Sequence, residues 1–192
     1  FKCDVPNLST SLYFVVNDSF YLKALPQAHL PEGVIVDSLS RVAAKKPDFI
    51  ARYYSKIAST DEDAITALNT MLVQDGLLVY VPKNVKVDRA IQVINILRSD
   101  VDLMVNRRVL IILEEGAEAK FLFCDHSADD RNFLSTQVIE AYVGENANLE
   151  LNCLEETHLK NTRVSNVYIQ QQANSSVNHN VITLHNGVTR NS

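Results

Sequence analysis

Val81-Pro82-Lys83-Asn84-Val85, Leu113-Glu114-Glu115-Gly116-Ala117, Val143-Gly144-Glu145-Asn146-Ala147 and Ile169-Gln170-Gln171-Gln172-Ala173 read as four versions of one pentapeptide. Each opens on an apolar residue, passes three turn-forming or polar residues, and closes on Val or Ala. The anchors Val81, Leu113, Val143 and Ile169 are 32, 30 and 26 residues apart. A loose period of that size is the mark of stacked supersecondary units.

The flanks show what the units are made of. In Leu149-Glu150-Leu151-Asn152-Cys153 the apolar residues alternate, as do Ala119, Phe121 and Phe123 one unit earlier. Alternation places one side of a strand in a core, because successive side chains point to opposite faces. Before the turns lie Val109–Leu113 and Gln137–Val143, rich in β-branched and aromatic residues. Each unit is therefore strand, turn, strand and a looser return. One such piece cannot bury its apolar face, whereas a stack of them shares a core and pairs each strand with its counterpart one rung along. Residues 75–192 are expected to form the first rungs of a right-handed β-helix, truncated at the C-terminal end. A meander in a sandwich fits the alternation too, but not the recurring turn. With only five glycines in the chain, left-handed turn positions fall to Asn and Asp.

Residues 1–74 predict a small N-terminal α/β section with about three helices. Leu12–Val16 reads as a strand closed by Asn17-Asp18, Pro26 and Pro31 bracket a loop, and Gly33–Val36 is a second short strand. Asp37 is the expected cap of a helix over 38–44. Pro47 opens a second helix through Phe49, Tyr53 and Ile57. The cluster Thr60–Asp63 opens a third, with Ala64, Ile65, Leu68, Met71 and Leu72 as its apolar stripe. A solenoid end needs a cap, and these helices are the expected one. Val109–Leu113, apolar on both faces, predicts a strand covered outside as well as inside.

The 192 residues are 46% hydrophobic and 21% charged, with a net charge of −5 and no basic run. Phosphate tracking along nucleic acid is therefore not expected. No apolar run approaches the roughly 20 residues of a membrane span. Cys3, Cys124 and Cys153 are widely spaced and odd in number, which argues for a reducing compartment over a disulfide framework. The limits Phe1 and Ser192, the latter inside a repeat, are expected to be those of a piece of a longer protein.

No constellation of residues predicts chemistry, so no catalytic, cofactor-binding or metal residue is assigned. Cys124 and His126 share the outward face if Phe121 and Phe123 point inward, but two ligands fall short of a metal site. They read as a half-exposed thiol beside a loop histidine. Cys153 reads as a small core residue. Glu155-Glu156-Thr157-His158 lacks the second histidine of a helical zinc motif and reads as a solvated loop. His179 and His185 share a face with Val177, Val181 and Thr183 if that strand is regular. Glu114-Glu115 and Asp129-Asp130 read as solvated turn acids. Phosphate-binding loops and the serine nucleophile elbow are missing from the sequence.

Three segments in order, Asp75–Val85, Asn106–Ala117 and Leu184–Asn191, resemble the core of the SufB/SufD family, nearer the SufD branch. The resemblance covers essentially the whole chain. It implies a right-handed β-helix between helical regions and a non-catalytic scaffold role in SUF iron–sulfur cluster assembly. The implied partners are a SufB-like paralogue and a SufC-like ATPase of the ABC type, in the cytoplasm, with no nucleic acid and no membrane. No cofactor is implied for this segment; the cluster is handled transiently by the complex. The family's histidine linked to cluster assembly lies on later rungs that would fall beyond Ser192. His179 and His185 do not match it, and no partner-contact residue is carried over. A β-helix carbohydrate-active enzyme is the alternative, but the outward positions Lys120, Glu140, Glu150 and Asn152 form no aromatic sugar platform. A hexapeptide-repeat acyltransferase would need six-residue steps that the chain lacks. An uncovered last rung would also allow two copies to pair edge to edge.

Overall fold

The computed structural model describes residues 9–21 and 30–192. Cys3 and the loop around Pro26 lie outside the described residues. The elements run β1 (Ser11–Val16), β2 (Ser19–Tyr21), β3 (Ile35–Ser38), α1 (Leu39–Lys45), α2 (Pro47–Ala51), α3 (Ala64–Leu72), β4 (Leu77–Val81), β5 (Ile91–Leu97), β6 (Leu103–Leu113), β7 (Glu118–Ser127), β8 (Phe133–Val143), β9 (Asn148–Glu156), β10 (Asn161–Gln171), β11 (Ser176–His185) and β12 (Val188–Asn191).

The strands form two facing six-stranded sheets. One has the order β11-β9-β7-β5-β1-β2 and the other β12-β10-β8-β6-β4-β3. Apart from the end pairs β1–β2 and β3–β4, neighbours in each stack are parallel and one rung apart, as in β6, β8 and β10 or β5, β7 and β9. This is a β-solenoid of about four turns. The expected outside cover of β6 is present: Val109, Ile111 and Leu113 join the interior core, while Leu110 and Ile112 pack with Leu39, Val42 and Ile50 of the helices.

The stacked turns hold the rungs in register. Asn84, Gly116, Asn146 and Asn174 all have positive φ, between 57° and 66°. Each is third in a turn closed by a backbone bond: Val85 N to Pro82 O, Ala117 N to Glu114 O, Ala147 N to Gly144 O and Ser175 N to Gln172 O. Asn tolerates this conformation, so three turns manage without glycine at the left-handed position. The fourth copy differs from the expected one. Gln171, not Ile169, stands opposite Val143, so the turn lies two residues further on and its polar anchor hides it from an apolar pattern. At Gly116 a Cβ would approach Asn84 Oδ1 to 2.3 Å. Gly116→Ala is expected to destabilise by about 1–2 kcal/mol, and Gly116→Asn by less, in urea melts of the two variants.

The N-terminal section departs from expectation in several places. The strand expected over 33–36 is shifted to Ile35–Ser38, so Asp37 lies in β3 and Ser38 caps α1 by accepting from Arg41 N. The helix opened by Pro47 ends at Ala51, short of Tyr53 and Ile57. The end of the solenoid is closed by strands rather than helices: β2 pairs antiparallel with β1, and β3 with β4. The helices instead lie on the outer face of the β6 and β8 sheet. Asp63 caps α3 by accepting from Thr66 N at 2.7 Å. That helix then turns Thr66 and Asn69 into the interface and leaves Met71 72% exposed, so its apolar stripe is not its packing face.

Candidate functional site

The interior between the sheets is divided along the strands. At the turn end it is apolar, with Val79, Ile91, Phe121, Ile139 and Leu151 fully buried. At the opposite corner Leu97, Val105 and Phe133 form a smaller apolar cluster. Between them the same alternation carries polar residues inward. One row is Asn95, Asp125 and Glu155 on β5, β7 and β9. The facing sheet supplies Arg107 and Gln137, with Arg163 two residues before Ser165.

These groups form one ion-paired layer. Asp125 accepts from Arg107 Nη1 at 2.8 Å and from Arg163 Nη2 at 3.0 Å. Arg163 Nη1 also donates to Glu155 Oε1. Glu155 Oε2 accepts from Thr183 Oγ1 at 2.8 Å and Thr189 Oγ1 at 3.2 Å, and Arg107 Nε donates to the Asn17 carbonyl at 2.8 Å. All four charged side chains are buried, Glu155 completely. Two guanidiniums face two carboxylates, so the layer is neutral. Burial pulls the Arg107 pKa down while the Asp125 carboxylate pulls it back up. Glu155 is thus no part of a solvated loop. It continues the inward row of Leu149, Leu151 and Cys153, and the strand simply outlasts its apolar residues.

The layer reaches a cavity of about 230 Å³ at the last rung, lined among others by Cys153, Glu155, Arg163 and His179. Burial pushes the Cys153 thiol up to about 12, with the charge of Asp125 adding to the shift. As expected, Cys153 belongs to the core cluster. At neutral pH it is a thiol rather than a thiolate and a poor nucleophile. Iodoacetamide at pH 8 is expected to leave Cys153 unmodified in the native chain and to label it fully in denaturant, as read by peptide mass mapping. Burial also lowers the His179 pKa, which favours neutral imidazole.

The other candidates do not converge. Leu122, Cys124 and His126 alternate to the outer face, but Cys124 is fully buried rather than half-exposed and accepts from Gln92 Nε2 at 3.8 Å. His126 lies in β7, not in a loop, with Nδ1 3.9 Å from Glu156. The strand β11 is irregular: His185, not Leu184, follows Thr183 in the ladder and stands opposite Glu156. His185 is thereby shifted off the face it was expected to share with His179 and bonds the Thr157 carbonyl at 2.7 Å. Glu115 pairs with Lys83, and Asp130 with His158 and Lys160, as surface acids. Of the positions expected to face outward, Lys120 and Glu150 pair across rungs at 3.4 Å. Glu140 is buried beneath the helices, bonded to Arg108. Among the described residues no three His, Cys, Asp or Glu side chains are placed to hold a metal ion, and no helix is long and apolar enough to cross a membrane.

The arrangement is that of a β-solenoid protein whose interior charges are paired with one another. Residues 1–93 match the SufBD protein N-terminal region, and residues 95–192 match the SufBD core domain of SUF system FeS cluster assembly. The chain belongs to the SufBD family. An iron–sulfur cluster assembly SufBD family protein of Arabidopsis thaliana is 31% identical over 119 residues, 62% of this chain and 25% of the relative. The iron–sulfur cluster assembly protein SufD of Bacillus subtilis is 28% identical over 134 residues, 69% of this chain and 29% of the relative. The chain therefore spans between a quarter and a third of the length of these curated relatives.

Proposed function

We propose that this chain serves SUF-type iron–sulfur cluster assembly as a rigid, non-catalytic scaffold. In this role a SufB-like paralogue and a SufC-like ATPase are its partners, the cluster is cargo, and the compartment is the cytoplasm. The family match over both regions carries the proposal. The geometry supports it, because β11 and β12 lie at the edges of the two sheets among the described residues and offer backbone groups to a further strand, of this chain's continuation or of a partner. Val181, Ile182, Leu184 and Val188 on these strands are exposed, between 38% and 64%, and would be covered by such pairing.

The test is co-expression of the tagged chain with a SufB-like chain and a SufC-like ATPase from the same source. Both are expected to be retained on purification, and recovery of the tagged chain alone would overturn the scaffold reading. The same open edges would let two copies pair side by side in the absence of partners. Sedimentation of the isolated chain is expected to show a concentration-dependent dimer, and a strict monomer at high concentration would remove that pairing.

A further inference from the structure

The ion-paired layer leaves several of its polar atoms without a partner among the described residues. They are Asn95 Nδ2, Arg107 Nη2, Arg163 Nε and both amide atoms of Gln137. Their side chains are buried, with exposures between 2% and 4%. The register brings them together: Arg107 and Gln137 are rung neighbours on one sheet, and Asn95 precedes Asp125 on the other. Buried polar groups in native proteins are nearly always hydrogen-bonded, to protein or to ordered water.

We propose that the interior layer of this solenoid binds ordered water, held between Asn95, Arg107, Gln137 and Arg163. Water fits this set better than an ion does. The unpartnered atoms include N–H donors on both sheets, which need an acceptor, and Gln137 Oε1, which needs a donor. A water molecule supplies both. An anion would leave Gln137 Oε1 unsatisfied and add a charge to a layer whose two guanidiniums and two carboxylates already balance.

There is space at both ends of the layer. A cavity of about 10 Å³ lies beside Asn95 and Arg107, close to the minimum for one water. The larger cavity, about 230 Å³, opens at Arg163 and Glu155. Water in these two cavities would reach the layer at Asn95 and Arg107 on one side and at Arg163 on the other, with Gln137 on the strand between them. The proposal is independent of the scaffold role, since it concerns the interior rather than the edges.

A high-resolution crystal structure of the chain tests it. The expected result is solvent density within about 2.7–3.2 Å of Gln137 and Arg107 Nη2. Crystals grown in bromide are expected to show no anomalous peak in the layer. Bromide density there would overturn the proposal in favour of an anion site, and repacked side chains with no density would overturn it in favour of a dry core. Gln137→Leu supplies a second readout that does not depend on crystals. In a wet layer it removes a water ligand and should lower Tm by roughly 2–4 °C or more. In a dry layer it relieves two unsatisfied atoms, and an unchanged or raised Tm would contradict bound water.

Discussion

Asp125→Ala is expected to be among the most damaging single substitutions in the chain, at about 3–5 kcal/mol. The carboxylate is the hub of the interior layer, accepting from Arg107 at 2.8 Å and Arg163 at 3.0 Å. Arg163 would keep Glu155. Arg107 would keep its bond to the Asn17 carbonyl and a Coulombic attraction to Asp18, but no carboxylate bonded to it. Removing one partner of a buried pair leaves the desolvation penalty of the other uncompensated, which exceeds the net worth of the intact pair. The double substitution Arg107→Met, Asp125→Leu should therefore be less destabilising than Asp125→Ala alone, because it takes both charges out of the interior. Urea unfolding of the three chains decides the matter. A single-substitution loss below about 1 kcal/mol, the range of exposed pairs, would show that the layer is not energetically buried.

Why this layer escapes a sequence reading is instructive. The turns, the alternation and the doubly apolar strand β6 are local signals, and the solenoid follows from them. Asp125 and Glu155 carry the same alternation two residues past Phe123 and Cys153. An acid at the end of an apolar strand looks like the start of a loop, and its partner is what tells otherwise. Arg107 and Arg163 lie on the opposite sheet, so the pairing exists only once the solenoid has closed. The fourth turn is lost for a related reason. Its anchor Gln171 is polar and exposed, while the left-handed Asn174 remains as the better marker. In α3 an apolar stripe was legible, but the surface that the helix meets is polar.

That surface explains how the helical layer is held. Asn69 Nδ2 donates to the Arg107 carbonyl and to Thr136 Oγ1, both at 2.9 Å. Thr66 Oγ1 meets the Tyr168 hydroxyl at 2.9 Å, and Asn166 Nδ2 donates to Asp63 at 2.8 Å. These are bonds to specific rungs, and each fixes position along the solenoid more tightly than an apolar contact would. The Asp63 carboxyl is held below its usual range, chiefly by the Thr66 backbone N–H.

Glu140→Ala is expected to release part of this layer at a cost of about 3–5 kcal/mol, with the effect concentrated in one loop. Glu140 and Arg108 are both 0% exposed and pair at 2.5 Å. The same carboxylate accepts from the backbone N–H groups of Ser55 at 2.9 Å, Ile57 at 3.4 Å and Ala58 at 3.2 Å. Ser55 adopts φ 57° to present its amide, a conformation that disfavours a serine unless something holds it. Without Glu140 the N–H groups of half-buried Ser55 and Ile57 and of buried Ala58 lose this acceptor. Arg108 retains Thr70 Oγ1 at 2.9 Å and the Tyr54 ring at 4.7 Å, neither of which neutralises it. The strand ladders do not pass through Glu140's side chain, so they should survive. Hydrogen exchange is expected to show fast exchange at Ser55, Ile57 and Ala58, with Ile111, Ile139 and Leu151 as protected as in the parent chain. Equal loss at all six amides would mean that Glu140 supports the whole solenoid, and undiminished protection at the first three would mean that its carboxylate does not hold the loop.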